Sequence, residues 1–402
     1  MQEYLICHDG KWWHFFIKPF YGLCYRKKEG GRFLHFEVLL SDACEDFCAI
    51  SAGGKLHIIC QDKCGNIIHL SYDGSDWHKV TLLTSKAERP YPKHFRLLSM
   101  SGYLNLFYVI SYKEKHMLIH QILGMEDRSP TVVDHICLSQ PPFLAATHSG
   151  TEMTLLYENE HGVSGIRQFR WSQKTFGGFV PLNPVAGCKV RSLYVEPDDR
   201  MLYAGFVTMA EVTNLVVFEK RQGEDFSEPV TVYLDCPIDA TPIFCKNEEK
   251  LYLVWKEKGS IMSSFSIDGG LKWSKPIRYM KGASLVPILY HLQDDSVWRV
   301  AYGYGTERDL VLYAVPPLED AAESRPRIQK EGQAVADFAA CLGAAEAVEH
   351  EPELPLAVVK QLRDEIAKLK EQFLALRMEL EALRTETPKI TEENAEIAEN
   401  AY

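Results

Sequence analysis

Glu249-Lys250-Leu251-Tyr252-Leu253-Val254-Trp255 is a polar turn running straight into an apolar strand, and this pairing returns along the chain. Its counterparts are Gly10-Lys11-Trp12, Gly54-Lys55-Leu56, Gly102-Tyr103-Leu104, Thr151-Glu152-Met153, Asp199-Arg200-Met201 and Asp295-Ser296-Val297. The third residues of successive copies lie 44, 48, 49, 48, 50 and 46 apart. A period of this length marks a repeat architecture. Each copy carries four strand-like runs: one before the turn (Thr-Pro-Ile-Phe-Cys, 241–245), the apolar run after it, a third (Ile-Ile-His-Leu-Ser-Tyr, 67–72) and a closing fourth (Trp-Ser-Lys-Pro-Ile-Arg-Tyr, 273–279). Four short antiparallel strands per unit is the arithmetic of a propeller blade. The expected fold is therefore all-β, a β-propeller of about seven four-stranded blades over residues 1–318. Only six copies have the fourth strand, because after Leu310-Val311-Leu312-Tyr313 the chain turns to Pro316-Pro317 and leaves the pattern. Nothing before Tyr4 supplies the missing outer strand, so the seventh blade is expected to be three-stranded, with a six-bladed ring or an open seam as the alternative.

One segment states its turn chemistry outright. Ser266-Ile267-Asp268-Gly269-Gly270-Leu271-Lys272-Trp273 has a short acid placed to accept backbone N–H groups two or three residues on, a glycine to supply positive φ, and a tryptophan to pack beneath the turn. Ser71-Tyr72-Asp73-Gly74-Ser75-Asp76-Trp77 is the same arrangement one residue short, and Phe226-Ser-Glu-Pro229-Val230 parallels Trp273-Ser-Lys-Pro276-Ile277. The full segment resembles the Asp-box (BNR) repeat of sialidase-like propellers. That resemblance implies a structural role for Ser266, Asp268, Gly270 and Trp273, since in that family the boxes stabilise blades far from the sugar site. An enzyme of that family also needs three arginines on a carboxylate, a tyrosine nucleophile with its glutamate, and an aspartate acid. The nearest arginine context here, Phe95-Arg96-Leu97-Leu98, lacks the family's proline and falls in the third repeat. Arg96, Arg191 and Arg308 are accordingly read as structural or solvated, and no catalytic residue is assigned.

Composition narrows the setting. The 402 residues are 46% apolar and 11% aromatic, ample for a large core, so disorder is excluded for most of the length. No apolar run approaches the roughly 18–20 residues that span a bilayer. The start, Met-Gln-Glu-Tyr-Leu-Ile-Cys, lacks the pattern of a secretory leader, so the expectation is a cytoplasmic protein. The 11 cysteines are odd in number and sit mostly in apolar runs, which suits a reducing compartment. Cys44/Cys48 and Cys60/Cys64 each have three intervening residues and touch predicted strands, unlike the tight zinc knuckle. No metal or cofactor is expected. Of the net charge of −11, residues 319–402 hold −9, and the remainder shows no basic run, which argues against a nucleic-acid groove.

Other chemistry-bearing residues read as turn or core. Asp198-Asp199 and Asp294-Asp295 fall in predicted first hairpin turns. His116 and His120 lie on a predicted strand, which removes the helical i, i+4 metal geometry. Trp12, Trp13, Phe15, Phe16, Phe20 and Tyr21 crowd the first blade and Tyr302-Gly303-Tyr304-Gly305 ends a strand of the last; they are read as packing between blades rather than as a sugar platform.

Past an Ala-rich acidic connector (319–353) the pattern changes to heptads. Val359, Ile366, Phe373 and Leu380 occupy a positions, and Leu362, Leu369, Leu376 and Leu383 occupy d positions. In a parallel arrangement Glu365 meets Lys370, Gln372 meets Arg377 and Glu379 meets Arg384, none repulsive. Residues 354–387 are expected to form a parallel coiled coil, dimeric or trimeric, closed by Pro388, with 388–402 a disordered tail. The expected function is a non-catalytic, multivalent binding or scaffolding propeller for a carbohydrate or protein ligand. The alternatives are a sialidase-like glycoside hydrolase and a purely structural assembly component.

Overall fold

The computed structural model describes residues 3–305 apart from short stretches, chief among them 183–188, 196–200, 222–226, 235–240, 282–287 and 294–301, with side-chain surroundings as far as Arg278. The chain divides between Ala344 and Ala345, and only the first unit contains described residues. The connector, the heptad residues from Val359 to Leu383, the tail, Arg308 and Leu310–Tyr313 lie outside them, as do the turns at Asp198-Asp199 and Asp294-Asp295. Among the described residues, no helix is long and apolar enough to cross a membrane.

The described strands form six sheets in chain order. The first holds β1 (Glu3–His8), β2 (Lys11–Lys18) and β3 (Gly22–Glu29), with β4 (Arg32–Phe33) and β5 (Glu37–Leu40) both on β3. The second runs β6 (Ala43–Ala52), β7 (Lys55–Asp62), β8 (Ile67–Tyr72) and β9 (Trp77–Leu83). The third runs β10 (Arg96–Met100), β11 (Tyr103–Tyr112), β12 (Lys115–Leu123) and β13 (Thr131–His135). The fourth holds β14 (Phe143–His148), β15 (Glu152–Glu158) and β16 (Ser164–Arg170), with β17 (Thr175–Phe176) and β18 (Val180–Pro181) both on β16. The fifth runs β19 (Lys189–Val195), β20 (Met201–Met209), β21 (Thr213–Arg221) and β22 (Val230–Leu234). The sixth runs β23 (Ile243–Asn247), β24 (Lys250–Glu257), β25 (Ser260–Ser266) and β26 (Ile277–Lys281). Each first strand lies beside the first strand of the next sheet, from β1 through β6, β10, β14 and β19 to β23. This is a propeller, with one meander for each of the first six sequence repeats.

The seventh repeat departs from expectation. Its described strands, β27 (Ile288–Gln293) and β28 (Tyr302–Gly305), form no separate sheet but join the first one. β27 pairs in parallel with β1, in the register Glu3↔Tyr290 to Ile6↔Gln293. β27 and β1 therefore hydrogen-bond directly, which no other two first strands do among the described residues.

In the first three repeats the turn residues read from the sequence are hairpin loops of two residues. Asp9-Gly10, Gly53-Gly54 and Ser101-Gly102 all have positive φ at both positions and sit between the register pairs His8↔Lys11, Ala52↔Lys55 and Met100↔Tyr103. Two positive φ values define the type I′ turn, whose twist matches the strands. The second strands are apolar without alternation because both blade faces are covered: Leu251 to Trp255 and Met153 to Tyr157 are buried throughout. Between the first two blades the packing is aromatic. Trp13 meets Tyr72 at 5.1 Å and Trp77 at 6.3 Å, and the Lys27 ammonium lies 4.3 Å from the Trp13 ring. Trp12, Trp13 and Phe15 are core, whereas Phe20 is fully exposed. Pairing of the third with the fourth strand slips at Leu23/Cys24, Ile67/Ile68, Leu118/Ile119, Leu215/Val216 and Ile261/Met262. These recurring bulges twist the outer strand.

Candidate functional site

The four residues of the Asp-turn segment close one hairpin between β25 and β26. Ser266 Oγ donates to Asp268 Oδ1 at 2.8 Å and accepts from Gly270 N at 2.8 Å. Asp268 Oδ1 also accepts from Lys272 N at 2.9 Å, and Trp273 Nε1 donates to the Gly270 carbonyl at 2.9 Å. Backbone donation from Lys272, then the Ser266 hydroxyl, holds the Asp268 carboxyl below its ordinary value. The acid therefore reaches four residues on, and the serine takes the nearer amides. In the shorter copy Asp73 Oδ1 does take Ser75 N and Asp76 N, at 3.0 and 3.1 Å, and Oδ2 meets His78 Nε2 at 2.7 Å. The serine and aspartate side chains of these turns are thus engaged within their own hairpins.

At the opposite end of the blades the connections cross from one sheet to the next. Between the register pairs Ala43↔Asp62 and Phe47↔Cys60, three residues of β6, Cys44-Glu45-Asp46, stand opposite one of β7, Gln61. This bulge lies along a cleft of about 310 Å³, lined by all four and, on its far wall, by Pro90, Tyr91, Pro92 and His94 on the way into β10. The two walls are tied through one carboxylate: Asp46 Oδ2 accepts from Lys93 N at 2.6 Å and from His94 N at 2.5 Å. His94 is held in the left-handed region at φ 56. Below Tyr91, the buried Lys93 places its ammonium 3.6 Å from the ring centroid. Burial lowers the Lys93 pKa, with Asp46 opposing. Burial likewise lowers that of His94.

Asp62, beside Gln61, organises the rim. Its Oδ1 accepts from Cys64 N at 3.0 Å and Asn66 N at 2.8 Å, and Cys44 Sγ donates to its carbonyl at 3.3 Å. The same construction recurs two blades on, where Asn159 Oδ1 accepts from His161 N and Val163 N, both at 3.0 Å, and Cys137 Sγ donates to the Asn159 carbonyl at 3.2 Å. The Cys44 thiol is pushed up first by burial and then by Asp62.

The other sequence candidates do not join this cleft. Cys48 and Cys60 are core thiols, both pushed up by burial, Cys60 to about 12. His116 is bound to Ser111 at 2.9 Å, and His120 to Asn105 at 3.0 Å beneath Phe107. Arg96 donates to the Tyr4 hydroxyl and the Phe95 carbonyl, both at 3.3 Å, and so reaches the first strand of blade one. Among the described residues no set of three or more His, Cys, Asp or Glu is arranged to hold a metal. Sequence reasoning missed the cleft. Its one advance signal is Pro90-Tyr91-Pro92, where two prolines fix an extended chain around an aromatic ring.

The class this geometry defines is the β-propeller, and comparison with solved structures agrees. Ulvanlyase, a PL25 polysaccharide lyase bound to -[GlcA(1-4)Rha3S]-, superposes with a TM-score of 0.54 at 10% identity, over 75% of this chain and 91% of its own. The Aleuria aurantia lectin, a six-bladed propeller with a fucose recognition mode, matches with a TM-score of 0.39 at 11% identity, over 70% and 96%. AofleA from Arthrobotrys oligospora matches with a TM-score of 0.39 at 15% identity, over 66% and 80%. At 10% identity the likeness to ulvanlyase is one of fold alone. No family model matches the chain, and no curated protein matches it.

Proposed function

We propose that this protein is a non-catalytic carbohydrate-binding propeller, presented in several copies by a parallel coiled coil over residues 354–387. The bulge that sets Cys44, Glu45 and Asp46 opposite Gln61 carries the reading. It puts the side chains of Glu45, Asp46 and Gln61 on one wall, across from Tyr91 bracketed by prolines on the other. Sugars present hydroxyl donors on their edges and C–H surfaces on their faces, and this pairing of walls meets both. Binding without catalysis fits the individual groups. Asp46 is engaged by two backbone amides, burial holds the Cys44 thiol protonated, and burial disfavours the charged form of His94. A propeller of this fold accommodates a saccharide in the ulvanlyase complex.

In this reading the ring counts seven repeats, the seventh entering through β27 and β28, and Ser266, Asp268, Gly270 and Trp273 serve structure. The seam Val359, Leu362, Ile366, Leu369, Phe373, Leu376, Leu380 and Leu383 sets the copy number, and weak single-site binding gains strength from avidity. Two measurements test it. Light scattering on the full chain and on a truncation ending near Asp320 is expected to give a dimer or trimer that becomes a monomer. A glycan array probed with the full chain is expected to give a sugar-selective signal, lost in Tyr91→Ala and Glu45→Gln. A monomeric full chain removes the multivalent part; signals that survive both substitutions remove the cleft.

A further inference from the structure

At the other end of β7 from Gln61, two imidazoles face each other. Ile59 pairs directly with His69, and His57 lies two residues before Ile59, so both histidines share one face of the sheet. His57 Nδ1 and His69 Nε2 are 3.1 Å apart, with ring planes inclined by 27°. Two imidazole nitrogens, each about 2.0–2.1 Å from one tetrahedral ion, stand about 3.3 Å apart. The two nitrogens are joined by a hydrogen bond, one ring donating to the other, and an ion that replaced the shared proton would find them within about 0.2 Å of the separation it needs. His57 also donates to the Ala52 backbone carbonyl. A ring hydrogen bond of this kind fixes the orientation and basicity of metal-binding histidines.

We propose that His57 and His69 bind one divalent ion of the zinc, copper and nickel group, with water completing its shell. Both rings are half-buried, so solvent reaches the ion and exchange is open. Lys55 and His8 are the neighbours that act on His57, both disfavouring added positive charge there. Ligation takes the neutral form of both imidazoles. That donor set excludes calcium and magnesium and selects imidazole-seeking metals. The ion would clip β7 to β8, independently of the cleft.

The test is titration with ZnCl2 by calorimetry at pH 7.5 in Cys64→Ser, because Cys64 exposes a thiol that would compete. One ion per chain at micromolar affinity is expected, weakened at least about tenfold by His69→Gln, with no heat from CaCl2. In the unsubstituted chain, long-range 15N NMR of the 14 histidines is expected to show zinc-induced shifts at these two rings. Absence of saturable binding, affinity unchanged by His69→Gln, or shifts at other rings would overturn the site.

Discussion

The two ends of the second blade differ in where their backbone groups find partners. At the hairpin end, Gly53-Gly54 closes β6 onto β7, and Asp73 closes the turn between β8 and β9 by itself. At the crossing end Asp62 still closes its own turn, but further partners come from other segments: Lys63 N donates to the Asp42 carbonyl at 2.8 Å, and Lys93 and His94 donate to Asp46. The glycines show the same division. A Cβ on Gly10, Gly54 or Gly102 meets nothing within 4 Å, whereas one on Gly22 meets the Leu40 carbonyl oxygen at 2.2 Å. One end is built blade by blade; the other interlocks, and the cleft is on the end that interlocks.

Substituting Gly22→Ala should do the greatest damage, because the new methyl must displace the backbone of Leu40 and Ser41 while φ stays at +79. A loss of about 3 kcal/mol or more is expected from chemical denaturation. A loss near that of an open-turn glycine would show that the crossing end yields. Asp46→Ala comes next. It leaves two amide donors without their charged acceptor, a loss of about 2–4 kcal/mol. Asp46→Asn, which keeps an oxygen, should recover part of this. Equal losses in the two variants would mean that the walls do not depend on that oxygen.

Acid should act through buried imidazole. His14, His57, His69 and His94 all have pKa values lowered by burial. Below 6.5 the unfolded chain binds protons that the folded chain refuses, so stability falls as pH drops from 6.5 toward 4 and is complete above 6.5. Each such group contributes at most about 1.4 kcal/mol per pH unit within its window, less where solvent screens it. Thermal melts at pH 7, 6 and 5 should therefore descend, and His69→Gln should flatten the descent. An unchanged slope would remove His69 from the account. At the hairpin end, Ser266→Ala should cost about 1–2 kcal/mol, since the buried hydroxyl serves Asp268 and Gly270 at once.

The same division explains what was legible in the sequence. Turns that satisfy themselves leave a local record: the I′ dipeptides and the Ser266–Trp273 segment are readable because all their partners lie within a few residues. The propeller followed from them. The cleft did not, because Asp46 is useful only opposite Lys93 and His94, 47 and 48 residues away. Nothing around Cys44-Glu45-Asp46 announces that three residues will stand opposite one. The joining of β27 to β1 was equally hidden, since parallel pairing between distant strands has no turn to mark it.

The smallest effect gives the sharpest contrast. Gly54 and Gly22 have nearly the same φ, +71 and +79, so Gly54→Ala incurs a similar left-handed penalty of about 1–2 kcal/mol. Against it stands the narrower unfolded ensemble of alanine, which returns about 0.4–1 kcal/mol. With open space around its Cβ, the net loss at Gly54 should be about 1 kcal/mol or less. Subtracting that value from the Gly22→Ala loss cancels the conformational terms and leaves the steric interlock alone. If the difference vanishes, the two ends are equally soft, and the cleft's walls owe their placement to the bulge in β6 rather than to crossing segments pressed together.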